Sequence, residues 1–545
     1  MIIKNKKIIC SDLFQKLLNA ILIVSVPFFT LLLSNKYEKE YIILGVIISF
    51  ISMLVMIIKK VRIKEINIYQ FLFSLYIALF SVKNWIYYCD EKSNLAIVSN
   101  LFIKFFNIHL NGLYSSLIIG CLALPFTIFL IYLFIARVLP IVKQFFMSFT
   151  KCEKIYFIVT LTFATILTVS ISFFTTAFFK PYSNSYVQAY DVIYTTDTGS
   201  LASGDAFFNV SFVENDIRQP LFGVFSLPFS IPAKILGDVA FFIPNNYGYE
   251  VFLVICQFLL LTVTTIMLGR LLKLNDDIKK YLYIFVSFSF PYLLFGLIVE
   301  QYVIGLFYLI LAIYYYFNNK QKINYFYVPA VGTLVTSGVI FPLLTKIKNF
   351  KLWIKSAFLC LGLFLLILTI SGQFSQLLVG PARFLNLTES FSGTVTLADK
   401  FYQFTYFVKG LFLANNGVIT DVFYHKSYQL VNFNHVSYIG IFILFLSVLS
   451  FVLNFKNNMA KFSFFWVIFS IIILLILGWG TSENGLILYS LYFAFAYFIL
   501  YFLFLQRLFK NIKLFKLSVL ASVIIMCIFN FANFIEILKF AVTYY

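Results

Sequence analysis

The sequence predicts an all-α, polytopic helical membrane protein, and three observations carry that prediction. Of 545 residues, 61% are hydrophobic and 12% charged, with a mean hydropathy of +0.94, whereas soluble domains carry about a quarter charged residues. Apolar runs of roughly 17–23 residues recur from end to end, the length that crosses about 30 Å of hydrocarbon as helix. No alternation of apolar and polar residues is sustained, as the strands of an outer-membrane barrel would require.

The runs place about 13 spans, at 17–34, 41–58, 67–85, 113–135, 155–177, 249–270, 281–298, 301–317, 353–371, 436–454, 462–480, 485–505 and 515–535. With the N-terminus in the cytoplasm, the loops bearing Lys4/Lys6/Lys7, Lys59/Lys60/Arg62/Lys64, Arg137/Lys143/Lys151/Lys154, Arg270/Lys273/Lys279/Lys280 and Arg507/Lys510/Lys513/Lys516 all face inward. That register puts roughly 28 of the 41 basic residues inside but roughly 5 of the 22 acidic ones, as the positive-inside rule requires.

Two segments depart from simple spans. Segment 325–345 is interrupted by Pro329, Gly332, Gly338 and Pro342, and both its ends carry Lys. A pair of half-helices meeting within the bilayer satisfies both ends, because irregular backbone at that depth is tolerated against protein or a cavity. Segment 219–243 is apolar but holds Pro220, Pro228 and Pro232; counting it as a span would turn Arg270–Lys280 outward, so it reads as a helix along the outer interface. Three regions follow: accessory transmembrane helices at 1–150, a module at 151–371 containing a large outer loop at 178–248, and a second outer loop (372–435) with C-terminal helices at 372–545.

The net charge of +19 is spread over small clusters between apolar runs, the pattern of cytoplasmic membrane loops rather than of a nucleic-acid-binding patch. Most of the seven Cys fall inside expected spans, so no disulfide framework is implied. His109, His425 and His435 have no metal-ligand spacing. The basic N-terminus is followed by no small-residue cleavage site and reads as a retained first helix. Heavy use of Lys, Ile, Asn, Phe and Tyr suggests an AT-rich bacterial genome, hence the bacterial cytoplasmic (inner) membrane.

Against this apolar background a few polar residues stand out. Glu300 interrupts an otherwise hydrophobic hairpin from Tyr281 to Phe317; a carboxylate there is costly, and the turn needs no acid. Tyr190–Gly199 directly follows a span and carries Asp191 and Asp197 in a short polar turn that can aim a carboxylate, or simply cap a helix. Glu214, Asp216 and Arg218 precede the Pro-punctuated segment, where Arg218 could hold a phosphate or pair locally with either acid. Arg383, Glu389, Asp399, His425 and His435 lie in the second outer loop, and Trp479–Asn484, with Glu483, forms another polar turn between spans. The outward-facing acids together outline an acidic, water-accessible cleft.

The order of these features resembles the GT-C superfamily, multispan glycosyltransferases that use polyprenyl-phosphate-linked sugars. Span 155–177, Asp191/Asp197, Arg218-Gln219-Pro220-Leu221, span 249–270 ending Gly269-Arg270-Leu271-Leu272-Lys273, Glu300 and the 325–345 pair follow that family's sequence of parts over roughly 155–370. The chain differs in its roughly four leading spans, in Arg-Gln-Pro where His- or Lys-Pro-Pro is commoner, and in Glu rather than Asp at the hairpin tip.

The resemblance implies inverting transfer of a sugar from a polyprenyl-phosphate donor to an extracytoplasmic glycan, lipid or protein acceptor, in contact with membrane lipid and without nucleic acid. Asp197 (or Asp191) would act as base. Glu300 would orient the acceptor, and Arg218, Arg383 or a divalent cation such as Mg or Mn, held by Asp197 and Glu300, would meet the departing phosphate's charge. Glu214, Asp216, His425 and Glu483 are the remaining candidate substrate contacts. The competing readings are a surface-polysaccharide polymerase or ligase, which would centre on Arg383 and His425, and a transporter or flippase, which would show internal repeats and midplane charges.

Overall fold

The structure, a computed structural model, describes residues 139–183, 189–203, 206–208, 218–244, 247–319, 323–344, 350–370, 386, 388–393, 395–422, 424–482 and 484–545, with 2–4, 7–9, 65–76, 78–79 and a few positions between 107 and 136. Glu214, Asp216, Arg383 and Glu483 lie outside the described residues, as do the expected spans 17–34 and 41–58 and most of 113–135.

The chain divides into two units. The first comprises Met1–Phe149, Val210–Asp216 and Leu361–Val379. It contains β1 (Ile2–Lys4), β2 (Lys7–Ile9) and β3 (Glu65–Asn67), a three-stranded antiparallel sheet with Ile2 opposite Ile9 and Lys7 opposite Asn67. Sequence reading places no strand there.

The second unit comprises Thr150–Asn209, Ile217–Cys360 and Gly380–Tyr545 and carries the candidate site. Its helices in chain order are α1 (Lys151–Ser172), α2 (Thr198–Ser203), α3 (Phe222–Val239), α4 (Gly248–Leu271), α5 (Asp276–Ser287), α6 (Phe290–Leu297), α7 (Tyr302–Asn319), α8 (Ile323–Thr333), α9 (Ile340–Leu344), α10 (Phe350–Ile370), α11 (Leu397–Gly410), α12 (Tyr438–Leu453), α13 (Asn458–Ser470), α14 (Ser490–Leu508) and α15 (Ile512–Tyr544). Helix α10 continues past Cys360 into the first unit. One antiparallel hairpin, β4 (Gly417–Val422) with β5 (His425–Leu430), falls where sequence reading places only a loop.

Among the described residues, six helices are long and apolar enough to cross a membrane, or seven if the bent pair α5–α6 counts as one span. Five of them, α1, α4, α13 with the π-turn after it, α14 with the 3-10 turn before it, and α15, coincide with expected spans. The sixth, α3, occupies the segment expected along the interface. The expected spans at 301–317, 353–371 and 436–454 are helical but shorter in their apolar stretch, so the structure supports part of the expected set of 13. The bundle is layered. The span ending in α14 is 94% buried and α4 78%, whereas α1 and α15 are 22% buried and turn residues such as Ile158, Phe163, Ile528 and Phe529 outward. Helices at the rim with exposed apolar faces suit a bilayer, where lipid takes the place of protein neighbours.

Three local features position the site. The α5–α6 pair bends by 63° at Phe288–Ser289, with Pro291 in the first turn of α6, where its missing N–H has no partner to lose. The carbonyl of Phe288 freed at the bend is taken by Asn530 of α15 at 2.7 Å. In 325–345 the helix breaks at Leu334, whose extended backbone (φ −156°) separates α8 from a 3-10 turn and α9, so the expected interruption is present. Helix α3 starts against that break. Leu221 N–H donates to the Gly332 carbonyl at 2.8 Å, and a Cβ on Gly332 would meet Leu221 and Phe225 side chains under 3.0 Å away.

Candidate active site

The chain between α6 and α7 is where Glu300 sits, and side chains from α4 hold it there. Gln257 on α4 donates from Nε2 to the carbonyls of Phe295 (3.1 Å) and Ile298 (2.7 Å) and accepts the Glu300 N–H at 3.1 Å. One buried amide thus satisfies three backbone groups that the helix break exposes. The Glu300 side chain is fully buried. Its Oε1 accepts the Gln301 N–H at 2.7 Å, while Oε2 has no hydrogen-bond partner among the described residues.

Asp197 reaches the same place from the loop before α2. That loop is pinned to β5: Tyr194 N–H donates to Tyr428 O at 2.6 Å, Tyr428 N–H donates to Val192 O at 2.8 Å, and Gln429 Nε2 donates to Asp191 O and Tyr194 O. Tyr194 takes a left-handed backbone (φ 53°), a costly state for a bulky residue. Its hydroxyl donates to Asn533 Oδ1 at 3.1 Å, which helps to hold it there. Gly199 is required by space, since a Cβ there would lie 1.8 Å from the Ala189 carbonyl oxygen. The Asp197 carbonyl accepts Leu201 N–H and the Ser200 hydroxyl, starting α2 and fixing where the carboxylate emerges.

Arg218 arrives just before α3, with its guanidinium carbon 5.1 Å from the centre of the Phe391 ring. Phe391 stacks on Trp479 at 5.4 Å, and Trp479 Nε1 donates to the Tyr489 hydroxyl at 2.7 Å. Tyr489 in turn meets Tyr302, the second residue after Glu300, edge to face at 5.6 Å. An aromatic wall thus runs from Arg218 to Glu300.

These groups act on one another. Burial pushes the Glu300 carboxyl well above the usual carboxylate range, and the charge of Asp197 pushes it the same way; the amides of Gln301 and Tyr302 and the Arg218 guanidinium pull back. The result is a carboxyl that holds its proton more tightly than an ordinary glutamate, beside a second acid and a cation. Perturbed groups of this kind collect at functional sites.

Of the residues proposed from sequence, the structure brings Asp197, Arg218 and Glu300 into one neighbourhood. Asp191 lies upstream on the same loop, its carbonyl engaged by Ser427 and Gln429 of β5. His425 opens β5 opposite Val422, where burial lowers the pKa of its ring. Asp197 and Glu300 are the two carboxylates that would hold a divalent cation, and a Mg-type ion held by two carboxylates would take its remaining oxygens from water and a substrate phosphate. Among the described residues no group of three or more His, Cys, Asp or Glu comes together.

Sequence reasoning passed over Gln257, Tyr302, Phe391 and Tyr489. In a chain with 71 Phe and 36 Tyr an aromatic residue gives no contrast, and Gln257 is 43 positions from the turn it organises. Trp479 belongs to the polar turn that was singled out, although for its acid.

Compared with protein-family models, with curated proteins and with solved structures, the chain matches none.

Proposed function

We propose that the protein is a membrane glycosyltransferase of the bacterial cytoplasmic membrane, moving a sugar from a polyprenyl-phosphate donor to an extracytoplasmic acceptor hydroxyl with inversion. The observation that carries this reading is the convergence of Asp197, Arg218 and a fully buried Glu300 from three separate chain segments. A lipid-linked sugar is already activated, so the protein must supply a base for the acceptor, a counter-charge for the leaving phosphate and a site shielded from water.

In the proposed step the acceptor oxygen attacks the anomeric carbon and its proton passes to the Asp197 carboxylate. The bond from that carbon to the phosphate oxygen breaks, and the lipid phosphate leaves with the electron pair. The Arg218 guanidinium meets the charge that develops on the phosphate. Glu300, protonated and dry, donates a hydrogen bond from Oε2 that orients a substrate oxygen.

Membranes bearing the protein, supplied with a polyprenyl-phosphate-linked sugar, test this. Asp197→Asn should lower transfer by about 10²–10⁴-fold, the usual worth of a positioned base, and Glu300→Leu, which removes the donor, should also abolish measurable transfer while both variants insert normally. Full transfer by both variants would remove the assignment.

A further inference from the structure

The last helix contributes no residue to the candidate site, yet both arms of that site are fastened to it. Helix α15 lies at the rim of the bundle, and its outer half carries Asn530, Asn533 and Glu536 at a spacing that puts them along one side. Both asparagines are buried. An amide inside an apolar span is costly unless hydrogen-bonded, so what these two hold is informative.

Asn530 serves the α5–α6 arm. Its Nδ2 donates to the Phe288 carbonyl at 2.7 Å and to the Phe412 carbonyl at 2.8 Å, and its Oδ1 accepts the Ala414 N–H at 2.7 Å. Phe288 lies at the bend from which α6 departs, and α6 ends at Leu297, just before Glu300. Asn533 serves the Asp197 arm. Its Oδ1 accepts the Tyr194 hydroxyl at 3.1 Å and its Nδ2 donates to the Asn415 carbonyl at 3.2 Å. The Tyr194 ring then meets Phe290, the first residue of α6, edge to face at 6.0 Å. Farther along, Glu536 Oε2 accepts the hydroxyl of Tyr428, whose backbone pairs with the same loop.

Two asparagines about 4.5 Å apart along one helix axis thus hold the starting points of both carboxylate-bearing segments, and the Tyr194 ring closes the frame between them. Tyr194 is the sensitive member. Its left-handed backbone (φ 53°) is a state that costs on the order of 1–3 kcal/mol and persists only where the surroundings impose it. Once its hydroxyl is released the residue can relax, and Asp197, in the same short loop, moves with it.

We propose that Asn533 is a positioning residue: from a helix outside the site it sets, through Tyr194, how Asp197 approaches Glu300. The consequence for transfer rests on the reading of Asp197 and Glu300 given above; the hold on the loop does not.

Tyr194→Phe, Asn533→Leu and the double variant are made in the full chain and reconstituted in lipid nanodiscs, with Ser450→Ala as a control for lost stability. Ser450 is buried on α12, and its hydroxyl donates to the Leu500 carbonyl of α14, a bond that touches neither arm. Amide hydrogen exchange over 192–201, melting temperature, and kcat and KM for a polyprenyl-phosphate-linked sugar are measured on each. Both single variants should speed exchange over 192–201. They should lower kcat about ten- to a hundredfold, since a misplacement of about 1 Å can cost about 10²-fold, with KM within about twofold. The double variant should lose no more kcat than Asn533→Leu, because both changes cut one contact. Ser450→Ala should melt earlier with kcat and exchange unchanged. Unchanged exchange in the single variants, or a kcat loss no greater than that of Ser450→Ala, would overturn the role of Asn533. Faster exchange in both, alongside full transfer by Asp197→Asn, would instead sink the transfer reading and leave the hold of Asn533 on the loop standing.

Discussion

Two glutamates in the second unit are both 0% exposed, and the unit treats them in opposite ways. Glu153, in the first turn of α1, has every oxygen occupied. Arg270 donates from Nε to Oε1 at 3.0 Å and from Nη2 to Oε2 at 2.6 Å, Lys279 donates to Oε1 at 3.1 Å, and the Thr150 N–H donates to Oε2 at 3.0 Å in a capping box. Glu300 receives backbone amides on one side only, has a partnerless Oε2, and faces another acid. Helix α4 supplies a partner to each: Arg270 to Glu153, and Gln257, thirteen residues or about 20 Å earlier, to the Glu300 backbone. A buried charge with two cations and a cap is mortar between α1, α4 and α5. A buried carboxyl left short of partners is a group kept ready for something else.

The comparison breaks most visibly at Glu153. Glu153→Gln takes the carboxylate away from Arg270 and leaves Lys279 with Asp276 alone in a poorly hydrated place, where removing one partner of a buried pair costs about 3–5 kcal/mol. The melting temperature in detergent should fall steeply. Glu300→Gln, an identical chemical change at identical burial, should not do this. If both variants melt alike, the distinction drawn between the two sites is empty.

Gln257→Leu should come next, at about 2–3 kcal/mol. It strands the Glu300 N–H and the Phe295 and Ile298 carbonyls in a buried place, and several such groups are rarely all rescued by water. Because it acts through the backbone that carries Glu300, the variant should lose transfer as well as stability. A variant that melts early yet transfers sugar normally would show that the α6–α7 break need not be held as it is for function.

How much of this was legible beforehand follows the same contrast. Helix positions could be read because membrane thickness sets the length of an apolar run, and the break at Leu334 because Pro329, Gly332 and Gly338 interrupt one. Glu300 was visible as the one charged residue in the apolar stretch from Tyr281 to Phe317. Glu153 was not, since it lies among Lys151 and Lys154 and counts there as one more loop-end charge; only its depth in the fold separates it from them. The β4–β5 hairpin stayed hidden because Gly417–Leu430 has too few apolar residues to stand out in a chain dominated by them. Gln257 and the wall Phe391–Trp479–Tyr489–Tyr302 depend on contacts between distant segments, which no local pattern announces.

The smallest expected effect, and the sharpest for assigning Glu300, is a pH dependence. In the unfolded chain Glu300 loses its proton in the ordinary carboxylate range, about 4.3. In the folded protein burial, reinforced by Asp197, holds the proton to a higher pH. Its contribution to stability is therefore fully present below the ordinary range and is lost as pH rises toward the folded value, because the unfolded state binds fewer protons there. Glutamine has no proton to lose. Near pH 5 the wild type and Glu300→Gln should melt within about 1 kcal/mol of each other, and the variant's advantage should then grow by up to about 1.4 kcal/mol per pH unit until Glu300 itself ionises. Melting curves in one detergent from pH 5 to pH 9 read this directly. A difference that stays level across that range would mean Glu300 is ionised in the folded state. It could not then donate the hydrogen bond assigned to Oε2, and the role proposed for it in orienting a substrate oxygen would fall even if Asp197 proved essential.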